Sequence, residues 1–199
     1  SSSSSSSQFL CFNFFTLFSI KMVDTATVSA ATSLYNSLEK MNPEVFALLY
    51  GALVTQLLQD HHEPSKVNEE LFEIGVSVGA CLVEEYLARL SIHTCTSFHH
   101  VAQSTADAFS IFLGVQAAAS AAAADDDWTS FHISFTHNPL NTFVQLPPSV
   151  KGLVYSNIYC GALVGALKAI SIHAESNFIQ DELYGDPVTT LLVVVRPSS

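Results

Sequence analysis

The longest apolar run in the chain is NPEVFALLYGALVTQLLQD, Asn42 to Asp60, in which no charge falls between Glu44 and Asp60. Phe46, Leu49, Tyr50, Leu53 and Leu57 recur at the spacing of one helical stripe, and Val45, Leu48, Ala52 and Val54 leave little polar surface on the rest. The start is defined locally. Asn42 offers a cap to the first free N–H groups, Pro43 sits where a missing N–H costs nothing, and Glu44 opposes the positive helix end. At roughly 17 residues, with Gln56 near one end, the run is short of the ~20 needed to span a bilayer. The pattern predicts a core helix that also meets a partner.

After the polar loop DHHEPSK, Ser65 or Asn68 can cap a second helix reaching about Leu90, with Leu71, Ile74, Gly75, Val78, Gly79, Leu82 and Tyr86 along one stripe. Gly75 and Gly79 flatten a strip of that helix, so another backbone can approach it closely. A third helix is expected from Phe98 to Leu113, ended by Gly114. The alanine tract and Asp125 to Asp127 read as an exposed connector, because the calcium-loop spacing and its glycine are absent. Trp128 to Phe135 alternates as a strand does, and NPLNTFVQLPP reads as a turn, a short strand and a stop. A further helix follows from Gly152 to about His173, with Gly161 and Gly165 again four apart. Asn177 to Leu183 and Thr189 to Val195 then read as two strands joined across YGDP, the second apolar enough to be buried. This order predicts the α+β class: helices packed on one side of a small, about four-stranded antiparallel sheet.

Bulk composition narrows the function. With 199 residues and 49% hydrophobic content, the chain supports one core, residues 41–199, preceded by a tail, residues 1–40. The tail begins with Ser1 to Ser7 and contains FLCFNFFTLFSI, Phe9 to Ile20, which has the length of a signal-peptide core. No basic stretch precedes it and no small-x-small cleavage site follows closely, so Met22 is the expected natural start. A net charge of −11 with seven Lys and Arg argues against nucleic acid and against direct attraction to anionic lipid heads. Four scattered cysteines, without a CxxC pair, suggest neither a zinc site nor a disulfide framework. GxGxxG, Walker, HExxH and GxSxG signatures are all missing, and no catalytic residue is expected.

The segments YGALVTQL, GVSVGACLVEEYLAR, NPLNTFVQLP, LVYSNIYCGALVGAL and QDELYGD occur in register across about Asn42 to Val195. Together they resemble subunit three of the transport protein particle (TRAPP) complex. That resemblance implies a cytoplasmic protein, peripheral at cis-Golgi and ER–Golgi membranes, that forms a homodimer or a heterodimer with other small TRAPP subunits. It implies a non-catalytic core subunit of a tether in ER-to-Golgi transport, reaching a Rab GTPase through the exchange activity of the assembled complex and the Golgi membrane only indirectly. It also implies a palmitate-like acyl group on Cys95, held in an internal apolar tunnel beside Ala108 and Gly114, and no metal. The chain departs from the family at Thr94, Cys81 and Val164, where the family carries a basic residue, and at Pro187, where it carries glycine.

Elementary chemistry points to the same cysteine. A thiol just before a helix N-terminus, with His93, His99 and His100 nearby, is expected to hold more thiolate than a free one. These histidines and Cys95 could gather a metal, but no fourth ligand is visible in the sequence. The alternative function is a stand-alone lipid or small-molecule binding module of the same fold.

Overall fold

The computed structural model describes residues 42–90, 97–122 and 128–196. The expectations for the tail, for Cys95 and for Asp125 to Asp127 concern residues outside this set. Helix α1 runs Pro43–His61, α2 Pro64–Leu90 and α3 Phe98–Leu113; strands β1, Ala117–Ala121, and β2, Ser130–Phe135, follow. Helix α4, Ile158–Ala169, and strands β3, His173–Gln180, and β4, Thr189–Arg196, complete the described chain. The four strands form one antiparallel sheet in the order β1-β2-β4-β3. The fold is of the expected α+β class.

Helix α1 starts as its sequence dictates, with Asn42 Oδ1 accepting the Glu44 N–H at 2.8 Å and Pro43 in the first turn. Phe46, Ala47, Tyr50 and Val54 are buried, whereas Leu49, placed by spacing on the same stripe as Phe46, is 49% exposed. A helix apolar all round leaves its orientation undetermined until something packs on it. Here the Tyr50 hydroxyl decides, donating to the Tyr155 carbonyl at 2.5 Å while the two rings meet edge to face.

Helices α2 and α4 touch backbone to backbone through the two glycine pairs. A Cβ added at Gly79 would lie 2.7 Å from Ala162 Cα and nearer still to its carbonyl oxygen. One at Gly75 would lie 2.9 Å from Gly161 Cα, and one at Gly165 would lie 2.7 Å from Val76 Cα. Real Cβ atoms do not sit that close, so all these positions need a hydrogen in place of a side chain. Asn68 does not cap α2, which begins earlier at Pro64, with the Glu63 carbonyl receiving the Lys66 and Val67 N–H groups. Its side chain instead reaches across, donating to Gly152 O at 2.9 Å and accepting the Val154 N–H at 2.7 Å. Asn157 Nδ2 completes the clasp by donating to Asn68 O at 2.8 Å. Because 152–157 is held in these bonds, with Gly152 at φ 91, α4 starts at Ile158 and not at Gly152.

The alanine tract is a strand rather than a connector over Ala117–Ala121. Alanine has little strand preference of its own. Here Ala117, Ala119 and Ala121 pair with Phe135, Ile133 and Phe131, whose bulk fills the space. NPLNTFVQLPP holds no strand: Pro139–Asn141 and Pro148–Val150 are short 3-10 turns, the first capped by Asn138. Strand β3 starts earlier than expected, at His173, because pairing with β4 recruits His173, Ala174 and Glu175 despite their weak local preference. It also ends earlier, at Gln180, where Asp181 caps the turn Glu182–Tyr184. Phe131, Ile133, Phe135, Leu191 and Val193 join the helices in one core, while Glu175 and Arg196 form a bidentate pair at 2.9 and 2.8 Å on the outside.

Two substitutions test these contacts. Gly79→Val is expected to lower unfolding stability by about 3 kcal/mol, the upper range for overpacking against an unyielding neighbour, read from the urea midpoint. Asn68→Ala leaves backbone groups at 152–154 without their partner and is expected to lower stability by about 1–3 kcal/mol in the same titration; a midpoint unchanged from wild type would remove the clasp from the account.

Candidate functional site: an apolar cavity beside the third helix

Helix α3 has defined ends. Ser97 Oγ accepts the His100 N–H at 3.2 Å, and Gly114 closes the helix in the left-handed conformation at φ 67. Between them, Val101, Ser104, Thr105, Ala108, Phe109 and Phe112 recur at helical spacing along one face, and that face borders a cavity of about 100 Å³. The other walls come from α2, between Gly79 and Leu87, and from α4, between Tyr159 and Leu167, with Ile170 just after it. The site therefore depends on the glycine crossing, which positions the two helices that form its walls.

Two of its hydroxyl groups are already engaged. Thr105 Oγ1 donates to the Val101 carbonyl at 2.7 Å, and the Tyr159 hydroxyl donates to Asn138 Oδ1 at 3.1 Å. Asn138 lies in a buried polar cluster that continues through Ser156 and Asn141 to Asp181. Burial, and then the negative charge of Asp181, push the Tyr159 phenol well above its usual range, and burial raises the Asp181 carboxyl. Tyr159 thus meets the cavity as a neutral ring with its hydroxyl already bonded. Cys160 is buried, and that burial pushes its thiol up to about 12, which leaves it protonated and unreactive at neutral pH. Cys81 is half-buried on α2. Among the described residues no group of three His, Cys, Asp or Glu is placed to hold a metal ion. What the cavity offers is an apolar lining with room for a small apolar group.

The residues singled out from sequence are distributed unevenly. Ala108 lines the cavity. Gly114 is exposed at the end of α3 and is not among the lining residues. Cys95 lies outside the described residues, two positions before the Ser97 cap. His99 and His100 are exposed in the first turn of α3, the His99 ring edge-on to Trp128 with centroids 4.5 Å apart. Phe109 and Phe112 also line the cavity, and their helical spacing from Val101 and Ala108 is the sequence signal for it. A second feature lies on α1, where Val45, Leu48 and Leu49 are exposed on the side away from the core, Leu48 at 60%. No helix among the described residues is long and apolar enough to cross a membrane.

Comparison with known proteins places this geometry. The family model for the transport protein particle (TRAPP) component matches residues 46–194. A trafficking protein particle complex subunit 3 from Dictyostelium discoideum is 38% identical over 168 residues, covering 81% of this chain and 87% of that protein. The transport protein particle subunit bet3 of Schizosaccharomyces pombe is 36% identical over 164 residues, covering 81% of this chain and 88% of its own length. Among solved structures, a trafficking protein particle complex subunit 3 from Naegleria fowleri superposes with a TM-score of 0.73 at 35% identity, over 80% of this chain and 98% of that one. That protein is covalently bound to palmitic acid. An H-NOX protein from S. oneidensis, at 11% identity and a TM-score of 0.54, shares the fold alone. With most of its described length matched by the family and by relatives of this identity, the chain belongs to the TRAPP component family, in its subunit 3 group.

Proposed function

We propose that the chain is a non-catalytic core subunit of a vesicle-tethering complex in ER-to-Golgi transport, carrying an acyl chain on Cys95 that lies in the cavity between α2, α3 and α4. The observation that carries this reading is the cavity itself, an apolar space running along α3 from a point close after Cys95 in sequence. The palmitic acid on the Naegleria relative supports the same occupant. Burying a palmitoyl chain at ~0.8 kcal/mol per methylene yields at most about 12 kcal/mol. A chain held inside the protein cannot also anchor it in a bilayer, so its role is structural: it fills the space the helices leave.

The exposed apolar face of α1 supports assembly, because Val45, Leu48 and Leu49 on one helix make a contiguous surface that a second copy or a sister subunit can cover. The assembled complex, and not a residue of this chain alone, then carries nucleotide exchange on its Rab GTPase.

Three variants test the reading. Intact mass of the full-length protein from eukaryotic cells is expected to show one hydroxylamine-sensitive acyl increment that Cys95→Ser lacks. Ala108→Leu puts a larger side chain into the cavity and is expected to lose the increment too; a buried acyl group retained in Ala108→Leu would place the chain elsewhere. Leu48→Glu is expected to convert dimer to monomer in light scattering, and an unchanged dimer would assign that face to something other than assembly. A monomeric wild type that releases a noncovalent lipid in native mass spectrometry would favour a stand-alone lipid carrier.

A further inference from the structure

A second opening shares no lining residue with the cavity beside α3. It is a cleft of about 400 Å³ between the segment 144–151 and the turn Glu182–Tyr184. That volume is of small-molecule size, and such sites are mostly apolar with a few polar groups that fix orientation. The cleft has this makeup. Leu146, Val150 and Leu183 supply aliphatic surface, Tyr184 supplies an aromatic ring, and Gln145 and Lys151 are its polar side chains besides.

Both sides are fixed before any ligand arrives. Proline rings hold φ at Pro147 and Pro148, the Pro147 carbonyl accepts the Val150 N–H at 3.1 Å, and the Val150 carbonyl accepts the Leu153 N–H at 3.1 Å. Opposite, the Glu182 carboxylate accepts the His137 and Asn138 N–H groups at 3.1 and 3.0 Å. The Tyr184 hydroxyl spans the two sides by donating to the Leu153 carbonyl, so an exposed tyrosine presents a ring whose polar end is already bonded.

Charge narrows the ligand. Lys66 pairs with Glu63 and Arg196 with Glu175, but the side chains of Lys151 and Gln145 have no partner among the described residues. The carboxylates of the neighbouring turn are engaged, Glu182 as above and Asp186 by the Asp181 N–H at 2.8 Å, and neither lines the cleft. An ammonium beside apolar walls therefore lacks a counter-ion in a chain of net charge −11. We infer that this cleft binds a small organic monocarboxylate, with its apolar body against Leu146, Val150, Leu183 and Tyr184. Its carboxylate lies between the Lys151 ammonium and the Gln145 amide. A second negative charge on the ligand would find no further cation in the lining.

The test is a titration of isotope-labelled full-length protein, followed by amide chemical shifts, with phenylbutyrate and its uncharged match phenylbutanol. Phenylbutyrate is expected to shift the amides of Leu146, Val150, Lys151, Leu183 and Tyr184 and to leave those of Val101 and Phe112, beside the other cavity, in place. It is expected to bind about fivefold more tightly than phenylbutanol, the size of one exposed ion pair. Lys151→Met keeps an apolar stem and is expected to bring phenylbutyrate to the affinity of phenylbutanol. Tyr184→Ala is expected to weaken both probes alike, about fivefold, whereas Tyr184→Phe keeps the ring and is expected to bind as wild type does. Equal affinity of wild type for the two probes, or a preference that survives in Lys151→Met, would overturn the carboxylate assignment. Cleft amides that stay in place with both probes would overturn the site itself. A peptide ending in a free phenylalanine carboxylate that bound about tenfold more tightly than phenylbutyrate would overturn the small-molecule reading and assign the cleft to the end of a protein chain.

Discussion

The contact on which the domain depends is the crossing of α2 and α4. Two helices ordinarily keep their backbones apart by the width of their side chains, but here Gly75, Gly79, Gly161 and Gly165 remove that spacer, and carbonyl oxygens of each helix occupy the room a Cβ would need. The contact is rigid because the neighbouring atoms are backbone and cannot rotate away. It also sets the approach of the chain to α4: Asn68, one side chain on α2, holds the backbone of the turn that delivers Ile158 to the crossing. Strand β3 leaves from the far end of α4, so the sheet inherits its position from the same two helices.

The cavity and the polar cluster behind it are two sides of Tyr159. Its ring faces the apolar space, and its hydroxyl ends in a chain of hydrogen bonds through Asn138, Ser156 and Asn141 to a buried carboxyl at Asp181. Asp181 Oδ1 accepts from Asn141 and from the Leu183 N–H while its Oδ2 is buried without a partner, and the bonds the cluster does make fix the loop 138–141 and the turn after β3 to each other. Glu182 reinforces the link by accepting the N–H groups of His137 and Asn138. The Tyr159 hydroxyl is thereby held in the polar cluster, while its ring faces the apolar space.

Helix α1 fills the core on one side and leaves an apolar face exposed on the other. Tyr50, fully buried, joins it to Tyr155, and Phe46 and Val54 fill the core beside it. Its other side keeps Val45, Leu48 and Leu49 in solvent, where a soluble monomer of net charge −11 has no local reason to place them. The proposed assembly with a second copy or a sister subunit would supply that reason.

Much of this was legible in the sequence because it is local. Asn42 and Pro43 begin α1, Gly114 ends α3, the alternation of Trp128 to Phe135 marks β2, and glycines four apart announce a close backbone approach. The five blocks that resemble TRAPP subunit three identified the family, and Ala108 fell on the cavity-lining face. What sequence could not supply concerns pairs of distant residues. Nothing local shows that the two glycine strips face each other, that Asn68 clasps 152–157 and caps nothing, or that an alanine tract becomes a strand because Phe131, Ile133 and Phe135 lie opposite it. The same holds for α1, whose all-round apolarity was plain while the choice between Leu49 and Ala47 as core residue waited on the Tyr50–Tyr155 contact. Capping, periodicity and turn chemistry act within a few residues and are written in order along the chain; burial and pairing are settled only when residues remote in sequence compete for the same space.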